Sequence, residues 1–315
     1  MFQAVAFILA ASPLLFGEAR APLPVEADST AQQCGVCHAE ALEKWQHSMH
    51  ALATSNELYV VSHRREPMKW CDDCHAPNRL GEQGKAEGVS CAACHVRAGV
   101  VLTAHAPTRK GQECHPMREE PALAGNQVCA ECHQFNFPAG RADPVRYGPW
   151  PMQNTAEESK GAACGSCHDA HSPNGAHDVE ALRKAIVATA SRDGDAVKVR
   201  VSTVGVSHHL PTGDPNRRIR VELCSDESCL GAVASRELER RAQVSGDSWR
   251  ISSDTTVGPS GLTLTFPGVP EVQWVRLSYR YAARSNENAL APEQVEAWLN
   301  TIPIKPEVGA VGGAR

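Results

Sequence analysis

The sequence predicts an α+β protein in two unlike parts: an N-terminal region of short helices and loops, then a C-terminal β-sandwich-like domain. Three observations carry this reading. Eleven of the thirteen cysteines lie between Cys34 and Cys167, and only Cys224 and Cys229 lie beyond. Proline and glycine interrupt the same stretch, as in PMKW, PNRLG, FPAG and YGPWP, which leaves room for short helices only. From Asp195 onward the texture changes to Val-, Ile-, Leu- and Thr-rich runs with period-2 alternation.

The elements follow in chain order. MFQAVAFILAASPLLFG reads as an export segment over residues 1–21, too apolar for a loop and too short to span a bilayer. Residues 22–191 form the cysteine-rich region. Within it, AEALEKWQHSMHALA places Leu42, Trp45, Met49 and Leu52 at helical spacing. A helix over Val179–Ala190 closes the region. Residues 192–285 hold the strands AVKVRVSTV, RRIRVELC, SWRISSD, LTLTFPG and VQWVRLSYRYAA. Short strands at this spacing point to a sandwich. In 286–315, APEQVEAWLN reads as a short terminal helix and VGAVGGAR as a tail.

The cysteines are not scattered. Cys-x-x-Cys-His occurs five times, at Cys34, Cys37 and His38; Cys71, Cys74 and His75; Cys91, Cys94 and His95; Cys129, Cys132 and His133; and Cys164, Cys167 and His168. The repeat has no fixed period and its flanks do not recur, so it marks repeated cofactor sites and not a solenoid. The pattern is the attachment signature of c-type haem, in which two thiols add to the porphyrin vinyl groups and the adjacent histidine ligates the iron. Zinc ribbons also use Cys-x-x-Cys, but need no histidine after every second cysteine. Redox disulfides use the spacing too, but do not come in fives with a histidine each time. Five covalently bound haem c groups are therefore expected, with the ten cysteines as thioether anchors and the five histidines as proximal ligands.

Composition agrees. Aromatic residues make up only 5% of the chain, so porphyrins are expected to fill the interior that side chains do not. Nine histidines remain after the proximal five, against five methionines, which favours imidazole on both iron faces and low potentials. A net charge of −5 gives no basic footprint for nucleic acid. Cys224 and Cys229, five apart in an exported β domain, read as a disulfide. Cys114 is either a reactive thiol or a buried inert one. No phosphate-binding loop and no hydrolytic triad is visible.

Several segments resemble the multihaem cytochromes c that include the tetrahaem electron carriers serving hydroxylamine oxidoreductase. CGVCHAEALEKWQHSMHALA is similar to their first haem segment, EGVSCAACH to another, HPMREEPALAGNQVCAECHQFNFP to a later one and CGSCHDAHSPNGAHD to the last. SHHLPTGDPNRRIRVEL is similar to the start of a β domain appended to many of them. The resemblance covers about residues 30–225. It implies distal ligands at His50, His115, His171, His177 and His208, with His63 and His105 as alternates, His47 as a neighbour that does not ligate, and His209 as the alternative to His208.

The expected function is electron transfer outside the cytoplasm, in the periplasm or at the cell exterior. Partners would be other cytochromes or redox enzymes; a homo-oligomer, or an assembly held at a membrane through a partner, is compatible. The alternative is a multihaem oxidoreductase with one open-site haem acting on a small nitrogen or sulfur compound. A third reading gives the β domain a docking role in a larger assembly.

Overall fold

The computed structural model describes residues 29–78, 87–106, 114–139, 146–246 and 248–306. The expected export segment and the C-terminal tail lie outside the described residues. The architecture is α+β.

Five short helices carry the motifs or follow them: Ala31–Gly35, Ala39–Gln46, Asp72–His75, Cys91–His95 and Gln127–His133. Thr30 starts the first with a capping box, its hydroxyl accepting from the Gln33 amide while the Gln33 side chain returns to the Thr30 amide. Short strands interleave. β1 (Val96–Arg97), β2 (Val100–Thr103) and β3 (Met117–Glu119) form one small sheet; β4 (Gln134–Pro138) and β5 (Tyr147–Asn154) form another. Helix Glu57–Arg65 lies between the first two motifs, with Asn56 as its N-cap.

The β domain pairs two antiparallel sheets. One has the order β12-β7-β6, with β6 at Ile186–Asp193, β7 at Ala196–Thr203 and β12 at Leu262–Phe266. The other has the order β14-β13-β8-β9, with β8 at Arg218–Cys224, β9 at Ala232–Leu238, β13 at Trp274–Arg280 and β14 at Glu296–Pro303. Alternation builds the core. Val197, Val199 and Val201 of β7 meet Ile219, Val221 and Leu223 of β8 and Val275, Leu277 and Tyr279 of β13, all fully buried. The other face of β8 and β13 carries charge: fully buried Arg218 pairs with Glu237 and Glu287, and Arg280 with Glu287 and Glu296. Cys224 and Cys229 are disulfide-bonded, with Cα atoms 5.2 Å apart.

Three expectations change. The helix from Val179 stops at Ala185, and Ile186 begins β6. The run IVAT is β-branched, and Ile186 and Ala190 gain a place in the sandwich core by alternating inward. APEQVEAWLN supplies one helical turn, Pro292–Val295, before β14 adds an edge to the larger sheet. The sandwich therefore runs from 186 to 303, beyond the expected 192–285. Helix Ala39–Gln46 also ends before Met49 and Leu52; turns after His47 carry the chain past His50.

The two parts are joined. A hairpin of β10 (Arg240–Ser245) and β11 (Ser248–Asp254) leaves the sandwich and meets the β4–β5 pair, where Phe137 stacks on Trp249 at 5.2 Å. Glu158 accepts hydrogen bonds from Arg240 Nη2 at 2.8 Å and from the His209 amide at 3.1 Å. Arg240 also donates to Asn154 at 2.6 Å and Asp254 at 2.8 Å. No helix among the described residues is long and apolar enough to cross a membrane.

Candidate haem-binding centre

Each motif occupies roughly one helical turn, so its two cysteines, three residues apart, project from the same side. The backbone holds this turn directly: the His38 amide donates to Cys34 O, and the His168 amide to Cys164 O, each at 3.0 Å. All ten motif cysteines and all five motif histidines line one continuous cavity of 3540 Å³. That is several times the roughly 300–1,000 Å³ of an ordinary small-molecule site. It is room for several large cofactors and not for one substrate.

Histidines from distant segments face the motif histidines across this space. His115 stands opposite His38 with ring centres 6.4 Å apart, and His50 opposite His133 at 6.4 Å. His171 faces His95 at 6.3 Å, and His208 faces His168 at 6.4 Å. Rings packed face to face in this protein lie closer, as Tyr59 on His75 at 4.3 Å and His177 on Tyr281 at 4.8 Å. Two imidazoles bound to one metal through nitrogens at about 2.0 Å, each ring centre a little over 1 Å behind its nitrogen, stand about 6.3 Å apart. Four pairs share that spacing.

The hydrogen bonding fits axial ligation as well. His75 Nδ1 lies 2.9 Å from Ala53 O, His95 Nδ1 3.0 Å from Leu102 O, and His208 Nδ1 3.0 Å from His209 O. A carbonyl can only accept, so Nδ1 carries the proton and Nε2 keeps its lone pair for a metal. Burial pushes His50 down to about 4, with help from neighbouring His133 and His75. Burial also lowers His75, His133 and His168. Neutral imidazole is the form a metal takes. Zinc would need three or four protein ligands at one point. Among the described residues no three His, Cys, Asp or Glu side chains gather so. Two protein nitrogens per centre suit a porphyrin, which brings four of its own.

The segment holding His50 is fixed from behind. Gly88 has φ +67°, and a Cβ there would lie 2.4 Å from His50 O. The Val89 amide donates to the same oxygen at 2.9 Å, and Trp45 Nε1 donates to Val89 O at 2.8 Å. Only glycine fits that approach.

His177 departs from the expected role. It lies against Tyr281, which donates to Ala176 O at 2.9 Å, and no motif histidine stands opposite it. Burial, then Arg217, lowers it to about 4. Correspondingly, none of the fourteen histidines faces His75 at the spacing of the four pairs. The alternate His63 lines the cavity but stacks on the far neighbour Tyr59 at 5.2 Å. His47, His105 and His209 lie outside the cavity lining; His209 Nδ1 instead lies 3.2 Å from Thr256 Oγ1. Cys114 is exposed.

Sequence reasoning missed Tyr59, whose hydroxyl donates to Asp72 at 3.1 Å inside the second motif, and Tyr281. Both are among only four tyrosines in the chain, which was the available signal. Comparison with family models, with characterised proteins and with solved structures finds no match for this chain.

Proposed function

We propose that this protein transfers electrons through five covalently attached haem c groups. The observation that carries the reading is the common 6.3–6.4 Å spacing of four histidine pairs, each containing one motif histidine. Haem iron would supply reversible one-electron chemistry. The chain's own residues do the rest. The cysteines fix each group to a helix turn. His38 with His115, His133 with His50, His95 with His171 and His168 with His208 hold both axial positions, which favours low potentials. His208 reaches in from the β domain, so the sandwich completes a centre as well as covering it. Attachment through thioethers implies export, and the setting is periplasmic or extracellular. Other cytochromes or redox enzymes are the partners this chemistry calls for.

One observation favours a second role at a single centre. His75 has no histidine opposite it, so the second motif would leave one iron face open to a small ligand. Low-temperature electron paramagnetic resonance of the oxidised protein tests both readings. Four low-spin bis-histidine signals and one high-spin signal that nitrite or carbon monoxide perturbs would support them. Five low-spin signals would remove the second reading, and five high-spin signals would remove the assignment of the pairs.

A further inference from the structure

Contacts between the motifs define which centre neighbours which. Motif one meets motif three: helix Ala31–Gly35 packs on helix Cys91–His95, and Glu87, four residues before Cys91, accepts from the Ala31 amide at 3.0 and 3.2 Å. Motif three meets motif four through Arg97 and Glu131, 3.9 Å apart. Motif four meets motif five through Asn126, which donates to Ala162 O and accepts from the Cys164 amide, both at 2.7 Å. The segment after His168 also returns to motif three, where His171 faces His95.

Motif two is placed differently. The four residues from His50 to Ala53 serve two motifs at once: His50 faces His133 of motif four, and Ala53 O holds His75 Nδ1 at 2.9 Å. The side chains of Cys74 and Cys132 are hydrogen-bonding neighbours. Cys132 therefore has motif two on one side, while Cys94 of motif three lies near it on another. Among the described residues, motif two makes no corresponding contact with motifs one, three or five.

We infer that motif two is the end of a side branch whose only redox neighbour is motif four, so that motif four is a junction between an open-faced centre and the chain of motifs one, three and five. The inference rests on the proposed haem occupancy. It assigns the residues from His50 to Ala53 a positioning role: they hold the junction's distal ligand and the branch centre's proximal ligand in one turn of chain. Electrons would reach the open centre one at a time, donated by the junction and supplied by an external redox partner at motif one or five.

The test compares His50→Met with His115→Met in the matured full-length protein. A methionine ligand raises the potential of the centre it serves. Haem content by intact mass and the remaining low-spin signals establish that each variant is assembled. A redox titration followed through the high-spin signal then reads the motif-two midpoint. The expected result is a shift of that midpoint in His50→Met and none in His115→Met, whose altered centre is two contacts away. Equal shifts, or a shift in His115→Met alone, would overturn the branch. Where either variant fails to assemble, redox titration of the unmodified protein by nuclear magnetic resonance reads the pairwise interactions directly. The motif-two centre must then interact most strongly with motif four, and a stronger interaction with motif one, three or five overturns the inference. A preparation without five haems would instead defeat the proposed function, which separates the two failures.

Discussion

Glu158 is the residue whose loss reports most clearly on how the β domain serves the haem region. Its side chain is only 11% exposed, as is that of Arg240, its partner at 2.8 Å. It also accepts from the His209 amide, next to His208, which faces His168. Replacing Glu158 by Ala removes one half of a largely buried pair, which ordinarily costs about 3–5 kcal/mol because the other charge is left behind. Arg240 keeps Asp254 at 2.8 Å and Asn154 at 2.6 Å, so the lower figure applies. The expected loss is about 3 kcal/mol. Guanidinium unfolding followed by circular dichroism measures it, with Arg240→Met and the double variant completing a cycle. The His208 loop should loosen as well, so part of the motif-five signal should become high-spin. A change within about 0.5 kcal/mol, the range of an ordinary surface substitution, with an unaltered low-spin spectrum would refute the reasoning.

Other perturbations act on single features. Folded His177 sits at about 4, below its usual value near 6.5, because burial disfavours the charged form. As pH falls from about 6.5 to 4 the unfolded chain takes the proton first, so stability falls across that window. The wild type should lose about 2–3 kcal/mol more than His177→Gln between pH 7 and 4.5, measured by denaturant unfolding at the two pH values. Gly88→Ala puts a Cβ against His50 O and should cost about 1–3 kcal/mol while converting the motif-four centre partly to high-spin in the resonance spectrum. Replacing Cys224 and Cys229 by Ser opens a loop of sequence separation 5 and should cost about 2 kcal/mol in thermal unfolding, with haem spectra unchanged.

The attachment sites were legible because their chemistry is local: two thiols and an imidazole within five residues need no tertiary information. The opposing histidines were legible only through resemblance. His115 precedes motif four yet faces motif one, and His50 follows motif one yet faces motif four. No rule of spacing yields that crossing, which depends on how the helices pack. His177 and His171 share one segment and look equally suited to ligation; the packing of Tyr281 on His177 separates them. The strands of the sandwich with clean alternation, β7, β8 and β13, were readable. β9 and β10 were not, since AVASREL and RRAQVS carry arginine and glutamate that pair across the sheet surface and mask the period. β4 and β5 contain the prolines that suggested loops; Asn136, whose Nδ2 donates to Gly148 O at 2.8 Å, helps tie that irregular pair.

Intact mass spectrometry of the protein purified from a cell that matures c-type cytochromes tests the central claim most directly. The account predicts a chain heavier by five haems, none released by denaturation. A chain of unmodified mass, or one from which all porphyrin separates under denaturant, would contradict it.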